Sequence, residues 1–296
     1  MSMTAHETRK HGGRTQKTPP SWPYVRSRRG RMAAALVCAA VFLAAVAFLG
    51  SIWLEDAMAA DFSRKNLPPC FSYPFGTDWL GRDMMKRTVA GLSLSIRLGC
   101  VTAAASALIA LVLGTAAALT GGAADGLISG LIDLMMGIPH MLLLILISCA
   151  VGKGFCGVAA GIALTHWPSL ARLLRAEVLQ IRTSQYVRIS QKLGMNAFQT
   201  AVRHMLLQLA PQFVTGLVLL FPHAILHEAS ITFLGFGLPP ETPAAGVILS
   251  ESMSYLMTGK WWLALFPGAA LAAVILAFEG LGQGLKALLD PGSAHE

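Results

Sequence analysis

The residues with a spacing that could do chemistry are His223-x-x-x-His227, followed directly by Glu228. Positions i and i+4 share one helix face, so both imidazoles can reach a single cation. Two more histidines, His140 and His166, fall within apolar runs. Ionisable groups at membrane depth are costly and usually face a bundle interior or a pathway. Two readings stay open: contact with a metal, or polar side chains satisfied by neighbouring helices. No other constellation competes. The phosphate-loop pattern G-x-x-x-x-G-K-[ST] does not occur, so the chain does not hydrolyse ATP through such a loop. His227-Glu228 begins like H-E-x-x-H, but Ile231 stands where the second zinc ligand belongs. The nucleophile pattern G-x-S-x-G fails at Ser95. His6, His11 and His295 lie in the tails, and a membrane di-iron oxygenase would need more.

Those side chains must be positioned by helices in lipid. The chain is 54% hydrophobic and 13% charged, against roughly 25% charged in soluble domains. It reads as an all-α integral membrane protein. The net charge of +8 would suit nucleic acid, but the basic residues cluster at the ends of apolar runs. That placement points to topology control and anionic lipid, with no nucleic-acid partner. Cys38, Cys70, Cys100, Cys149 and Cys156 are scattered, with no C-x-x-C, and read as buried small hydrophobes.

In chain order, residues 1–31 read as a disordered basic cytoplasmic tail with no cofactor or substrate role assigned. Residues 32–54 form a first transmembrane helix. Arg28-Arg29 and Ala57-Met58-Ala59 resemble a secretory signal, but the apolar run exceeds the ~7–15 residues of such a segment, so an uncleaved span is expected. Residues 55–97 form an external, proline-rich segment. Residues 98–290 hold the remaining spans, near Leu98–Leu119, Leu127–Val151, Phe155–Ala171, Met205–Phe236 and Trp261–Phe278, with breaks expected at Pro139, Pro168, Pro211 and Pro222. Residues 291–296 end the chain. Six transmembrane helices with both termini cytoplasmic is the expected topology. Basic residues outside make the inside excess modest, fifteen against eight.

Residues 172–206 form a basic interval between spans, expected in the cytoplasm. It has internal punctuation: Ser184 as a helix cap, Gly194 at a C′ position, and Asn196 as the cap of the next helix. Tyr186, Val187, Arg188, Ile189, Ser190 and Leu193 then make about two helical turns with one mostly apolar stripe. A short helix held in water with such a stripe needs something to bind, so it reads as a docking element.

Three stretches carry a resemblance. Phe75-Gly76-Thr77-Asp78-Trp79-Leu80-Gly81-Arg82-Asp83 resembles the "FGTDxLGRD" signature of the second permease subunit of peptide and nickel ABC importers. Glu228 to Gly237, with Pro239-Pro240, resembles their "EAxLSFLGLGxxPP" segment, and the docking interval resembles their EAA loop. The Glu-Ala-Ala triplet is replaced by Arg188, Ile189 and Ser190, while Gly194 is kept. The resemblance implies the type I ABC importer permease fold in a bacterial inner membrane. It implies a translocation subunit, not an enzyme. Its implied partners are a second permease, two ATP-binding subunits and an extracytoplasmic binding protein. His166-Trp167 and His223-x-x-x-His227 look like the nickel-type branch, implying nickel or a metal chelate as cargo, with dipeptide or oligopeptide as the alternative. His140, His166, His223, His227 and Glu228 are the expected pathway residues. A secondary transporter or a membrane metalloenzyme would need two related halves or an acid/base constellation, and neither is visible.

Overall fold

A computed structural model describes residues 24–196 and 206–289. Apart from two isolated bridges, Cys70 with Tyr73 and Thr77 with Asp83, its regular structure is helical among the described residues. The order is α1 (Tyr24–Ile52), α2 (Leu54–Met58), a short 3₁₀ turn (Phe62–Arg64), α3 (Met84–Thr120), α4 (Gly122–Gly137), α5 (His140–Val151), α6 (Phe155–Arg182), α7 (Gln185–Lys192), α8 (Leu206–Phe233), α9 (Ala245–Leu256) and α10 (Trp262–Leu289).

Helix α3 is the central post, packed against α1, α6 and α8. Its inward face is built from small residues, including Ala103, Ala107, Ala110 and Ala117, all buried. In lipid there is no hydrophobic drive between helices, so close backbone approach supplies the packing. Gly114 shows how close this approach is: a Cβ there would stand 2.6 Å from the carbonyl oxygen of Ala171 on α6. One core cluster joins α3 and α6 through Ala107, Ala110, Trp167, Ala171 and Leu174. A second joins α1, α3, α8 and α10 through Leu43, Ile96, Ile225, Val274 and Phe278.

Several boundaries differ from expectation. Residues 24–31, expected in the tail, already belong to α1, and residues 1–23 lie outside the described part. Helix α3 starts at Met84, well before the expected Leu98. The Asp83 carboxylate caps it, accepting from the backbone N–H groups of Met85 and Lys86. Arg87, one of the basic residues counted outside, is buried in the first turn of α3 and ion-paired. The expected span Leu127–Val151 is two helices bent by 99° where Ile138-Pro139 interrupts the hydrogen-bond ladder. By contrast, α8 runs unbroken through Pro211 and Pro222. The Thr215 hydroxyl donates to the Pro211 carbonyl at 2.8 Å, one of the local adjustments that let a membrane helix carry proline.

By length and apolarity four helices among the described residues can cross a membrane: Gly30–Ile52, α3, α8 and α10. The bent α4–α5 pair makes a fifth if it is one span. Helix α6 falls outside that set because its second half carries Arg172, Arg175, Glu177 and Arg182. Two of these arginines reach α4: Arg172 pairs with Asp133, and Arg175 grips Asp125 with two parallel bonds of 2.6 Å. The cysteines also depart from expectation. All five are exposed; Cys100 and Cys149 share α3 and α5 with exposed Val101, Leu108, Leu142 and Leu146, while Cys70 lies in the loop before α3. A side chain facing lipid needs no burial in protein to be at home.

Candidate functional site

Three helices bring their histidines together. His140 is the first residue of α5, released by the Pro139 break. His166 lies on α6 one turn from Ile162, and His227 lies on α8. The ring centroids are 4.6 Å apart for His140–His166, 4.5 Å for His140–His227 and 5.0 Å for His166–His227. One ligand-capable nitrogen from each ring lies within 4.8 Å of the other two. The rings border a cavity of about 370 Å³ between α6 and α8, which Thr165, Ser169, Gly216 and His223 also line. A second cavity, about 390 Å³, adjoins it through His140, Thr165 and Ser169. A larger cavity of about 580 Å³ lies elsewhere, among the ends of α6, α7, α8 and α10, and holds no histidine.

His223, the expected partner of His227, lines the same cavity but does not join the converging set. Its Nδ1 lies 2.9 Å from the Leu219 carbonyl, which ties the ring back along its own helix. Glu228 is fully buried and does not line the cavity. Ser95 Oγ donates to its Oε2 at 2.6 Å, and Thr232 Oγ1 donates to its Oε1 at 3.1 Å. Thr232 Oγ1 in turn accepts from the Leu238 N–H. The carboxyl therefore pins α8 to α3 and to the turn that follows α8.

The Gly76-to-Asp83 segment forms a latch between the loop and α3. The Asp78 carboxylate accepts from the N–H groups of Leu80 and Arg82 at 2.9 Å, from Arg82 Nε at 2.6 Å and from Arg87 Nη1 at 3.2 Å. Arg87 Nη2 also donates to Glu251 on α9 at 2.6 Å. Trp79 covers both guanidiniums, at 5.1 and 5.7 Å from its ring, and stacks on Tyr255. Thr77 Oγ1 accepts from the Leu67 N–H and donates to the Arg64 carbonyl. Gly76 and Gly81 sit at φ +73° and +76°, and a Cβ on Gly81 would run into the Asp61 carbonyl. Every member of this signature thus has a local structural task, with Leu80 supplying an N–H to Asp78.

Helix α7 lies across the ends of α6 and α8. Val187 is fully buried, packed with Val178, Ile181 and Leu209, and Tyr186 Oη donates to Gln208 Oε1. Ile189 and Leu193, four apart, point outward at 58% and 80% exposure. Arg188 and Ser190 lie on the same short helix, and Gly194 follows at φ +93°. Ser184 differs from expectation: its hydroxyl donates to the Ile181 carbonyl, closing α6 and not capping α7. The helix expected after Asn196 begins outside the described residues.

The sequence that builds these helices finds its match among known proteins. Residues 110–294 match the model of the "binding-protein-dependent transport system inner membrane component". The chain belongs to this family of permeases. The dipeptide transport system permease protein DppC of Bacillus subtilis (strain 168) is 30% identical over 267 residues, covering 90% of this permease and 83% of the relative. The probable D,D-dipeptide transport system permease protein DdpC of Escherichia coli (strain K12) is 31% identical over 243 residues, 81% of each chain. The oligopeptide transport system permease protein OppC of Bacillus subtilis (strain 168) is 31% identical over 236 residues, covering 78% and 77%. The permease is a multi-pass protein of the bacterial inner membrane. These relatives are named for dipeptides and oligopeptides, and their names lend no support to the nickel-type branch.

Two features of the permease escaped sequence reasoning. Spacing along the chain paired His223 with His227, whereas the structure joins residues from three separate helices. Arg87 and Glu251 were not singled out, although a charge near the start of a long apolar helix is the signal that finds such a pair.

Proposed function

We propose that this permease is one half of the membrane pathway of an ATP-driven importer of short peptides. Its partners are a second permease subunit, two ATP-binding subunits and an extracytoplasmic peptide-binding protein. The chain has six crossings with both termini in the cytoplasm. In this topology α6 is the fourth crossing, through its uncharged first part, and the α4–α5 pair is the third. The names of the relatives support peptide as cargo. The absence of a phosphate-binding loop from the sequence assigns ATP hydrolysis to the partners.

The observation that carries this reading is helix α7. Val187 anchors it to α6 and α8, while Ile189 and Leu193 form an apolar face turned away from the chain. Such a face fits a groove on an ATP-binding subunit, and Arg188 takes the position where the family carries an acid. When the ATP-binding subunits close, α7 moves as one body and draws α6 and α8 with it. Those two helices carry His166 and His227, so the cavity between them changes shape. Cargo and ATP shift this equilibrium only through their differing affinities for the two states.

The test replaces Ile189 and Leu193 by Asp. Cells carrying this variant keep the permease in the membrane, lose uptake of a radiolabelled dipeptide, and no longer co-purify the ATP-binding subunit. Uptake at the original rate, or labelling of a cysteine at 189 from outside the cell, overturns the reading.

A further inference from the structure

We propose that His140, His166 and His227 bind a divalent transition-metal ion of the nickel, cobalt or zinc class, and that the ion travels as a chelate with peptide cargo. The role in cargo passage rests on the importer reading; the site itself rests on the geometry alone.

The first argument is the state of the rings. His166 Nδ1 lies 2.9 Å from the Ile162 carbonyl and 3.1 Å from the Thr165 hydroxyl. The carbonyl can only accept, so Nδ1 carries the proton and Nε2 presents a lone pair. This is how metal-ligating histidines are usually held, with the second nitrogen donating to a backbone carbonyl. His166 is 8% exposed, and its Nε2 is buried without a hydrogen-bond partner. His140 Nε2 is in the same condition. Buried polar atoms are rarely left unpaired, and two in one cluster call for a shared ligand.

The second argument is reach. Imidazole nitrogens bind zinc at about 2.1 Å, so tetrahedral ligands stand about 3.4 Å apart. The three nitrogens, within 4.8 Å of one another, need to close by about 1.4 Å or less per pair to reach that spacing. Three imidazoles leave a fourth position open towards the cavity, as in sites that keep an exchangeable ligand.

The third argument concerns charge. No carboxylate lines either of the two adjoining cavities among the described residues, and Glu228 is committed to Ser95 and Thr232. Three neutral imidazoles around a dication leave two positive charges in an apolar bundle, which is costly. A ligand arriving with its own anionic groups removes that cost. The terminal amine and carboxylate of a short peptide are such groups, so the fourth position favours a peptide-chelated ion over a bare one.

The experiment uses the permease co-purified with its partner subunits in lipid nanodiscs, titrated with Co²⁺ alone and with Co²⁺ plus diglycine. We expect one Co²⁺ per permease chain, with visible d–d absorption, bound about tenfold or more tightly when diglycine is present. His166→Gln abolishes the signal. His227→Cys keeps the ion and adds a thiolate-to-cobalt charge-transfer band, which a purely structural histidine would not produce. Replacing His6, His11 and His295 together by Gln leaves the stoichiometry unchanged. Equal Co²⁺ binding in His166→Gln, or no new band in His227→Cys, overturns the site. Equal affinity with and without diglycine overturns the chelate. Uptake of labelled dipeptide is measured in parallel with a metal chelator present. Uptake without any Co²⁺ binding rejects the site and leaves the importer reading intact; Co²⁺ binding with no uptake under any condition does the reverse.

Discussion

Replacing Asp78 by Ala tests the latch that holds the loop against α3. Asp78 is buried and compensates two buried guanidiniums, Arg82 and Arg87, together with Glu251. Without Asp78, two buried positive charges share one carboxylate, which lies 2.6 Å from Arg87 and 3.8 Å from Arg82. One charge is left uncompensated, and breaking a buried pair in this way costs roughly 3–5 kcal/mol. An independent route gives a similar size. Asp78 accepts two side-chain bonds from charged donors, each contributing about 1.5–3 kcal/mol. The double variant Asp78→Ala with Arg87→Leu should recover part of the loss, because it removes the stranded charge as well as its partner. The assay is denaturant unfolding of the permease in nanodiscs, followed by tryptophan fluorescence, since Trp79 lies over both guanidiniums. A loss below about 1 kcal/mol for Asp78→Ala, the size typical of an exposed pair, would refute this account. So would a double variant less stable than the single one.

Three further outcomes follow from other contacts. Gly194→Val places a β-branched residue at φ +93°, costing about 1–2 kcal/mol locally; dipeptide uptake should fall while membrane insertion is kept, and Gly194→Asn should be tolerated better. Gly114→Leu drives a side chain into the Ala171 carbonyl region and should destabilise by about 1–3 kcal/mol or more, read as a lower melting temperature in detergent. Arg175→Ala removes the two-bond grip on Asp125, but both side chains are partly exposed, so the loss should stay within about 1 kcal/mol in the same melting assay.

The fold class was legible because lipid demands long apolar runs, and those runs survive in any reading of the chain. The α7–Gly194 unit was legible for a different reason: a glycine after two helical turns is local punctuation, and Gly194 indeed adopts positive φ. The start of α3 was hidden because Lys86 and Arg87 look like solvent residues until their partners, Asp56 and the Asp78–Glu251 pair, are brought up by other parts of the chain. Proline was a guide at one of its four expected breaks: Pro139 bends its span by 99°, while Pro168 is absorbed into α6 and Pro211 and Pro222 into α8. The histidine cluster was half visible. Its members stood out as polar side chains in apolar runs, but their meeting depends on how α5, α6 and α8 pack, which no spacing within one helix records. The outward cysteines failed for a related reason, since a scale that equates apolar with interior loses its meaning when the solvent is itself apolar.

Helix α3 has 37 residues and so extends about 55 Å. Near its first turn it is fastened by the Asp78–Arg87–Glu251 latch, and near its last turn the Ala118 carbonyl accepts from Arg182, just before α7. A single stiff rod therefore joins the two mouths of the bundle, with a polar clasp at each. Displacement at one mouth reaches the other with little lost to bending, so if ATP-binding subunits dock at α7 as proposed, substitutions in the Gly76–Asp83 turn should alter how tightly their nucleotide turnover is geared to transport.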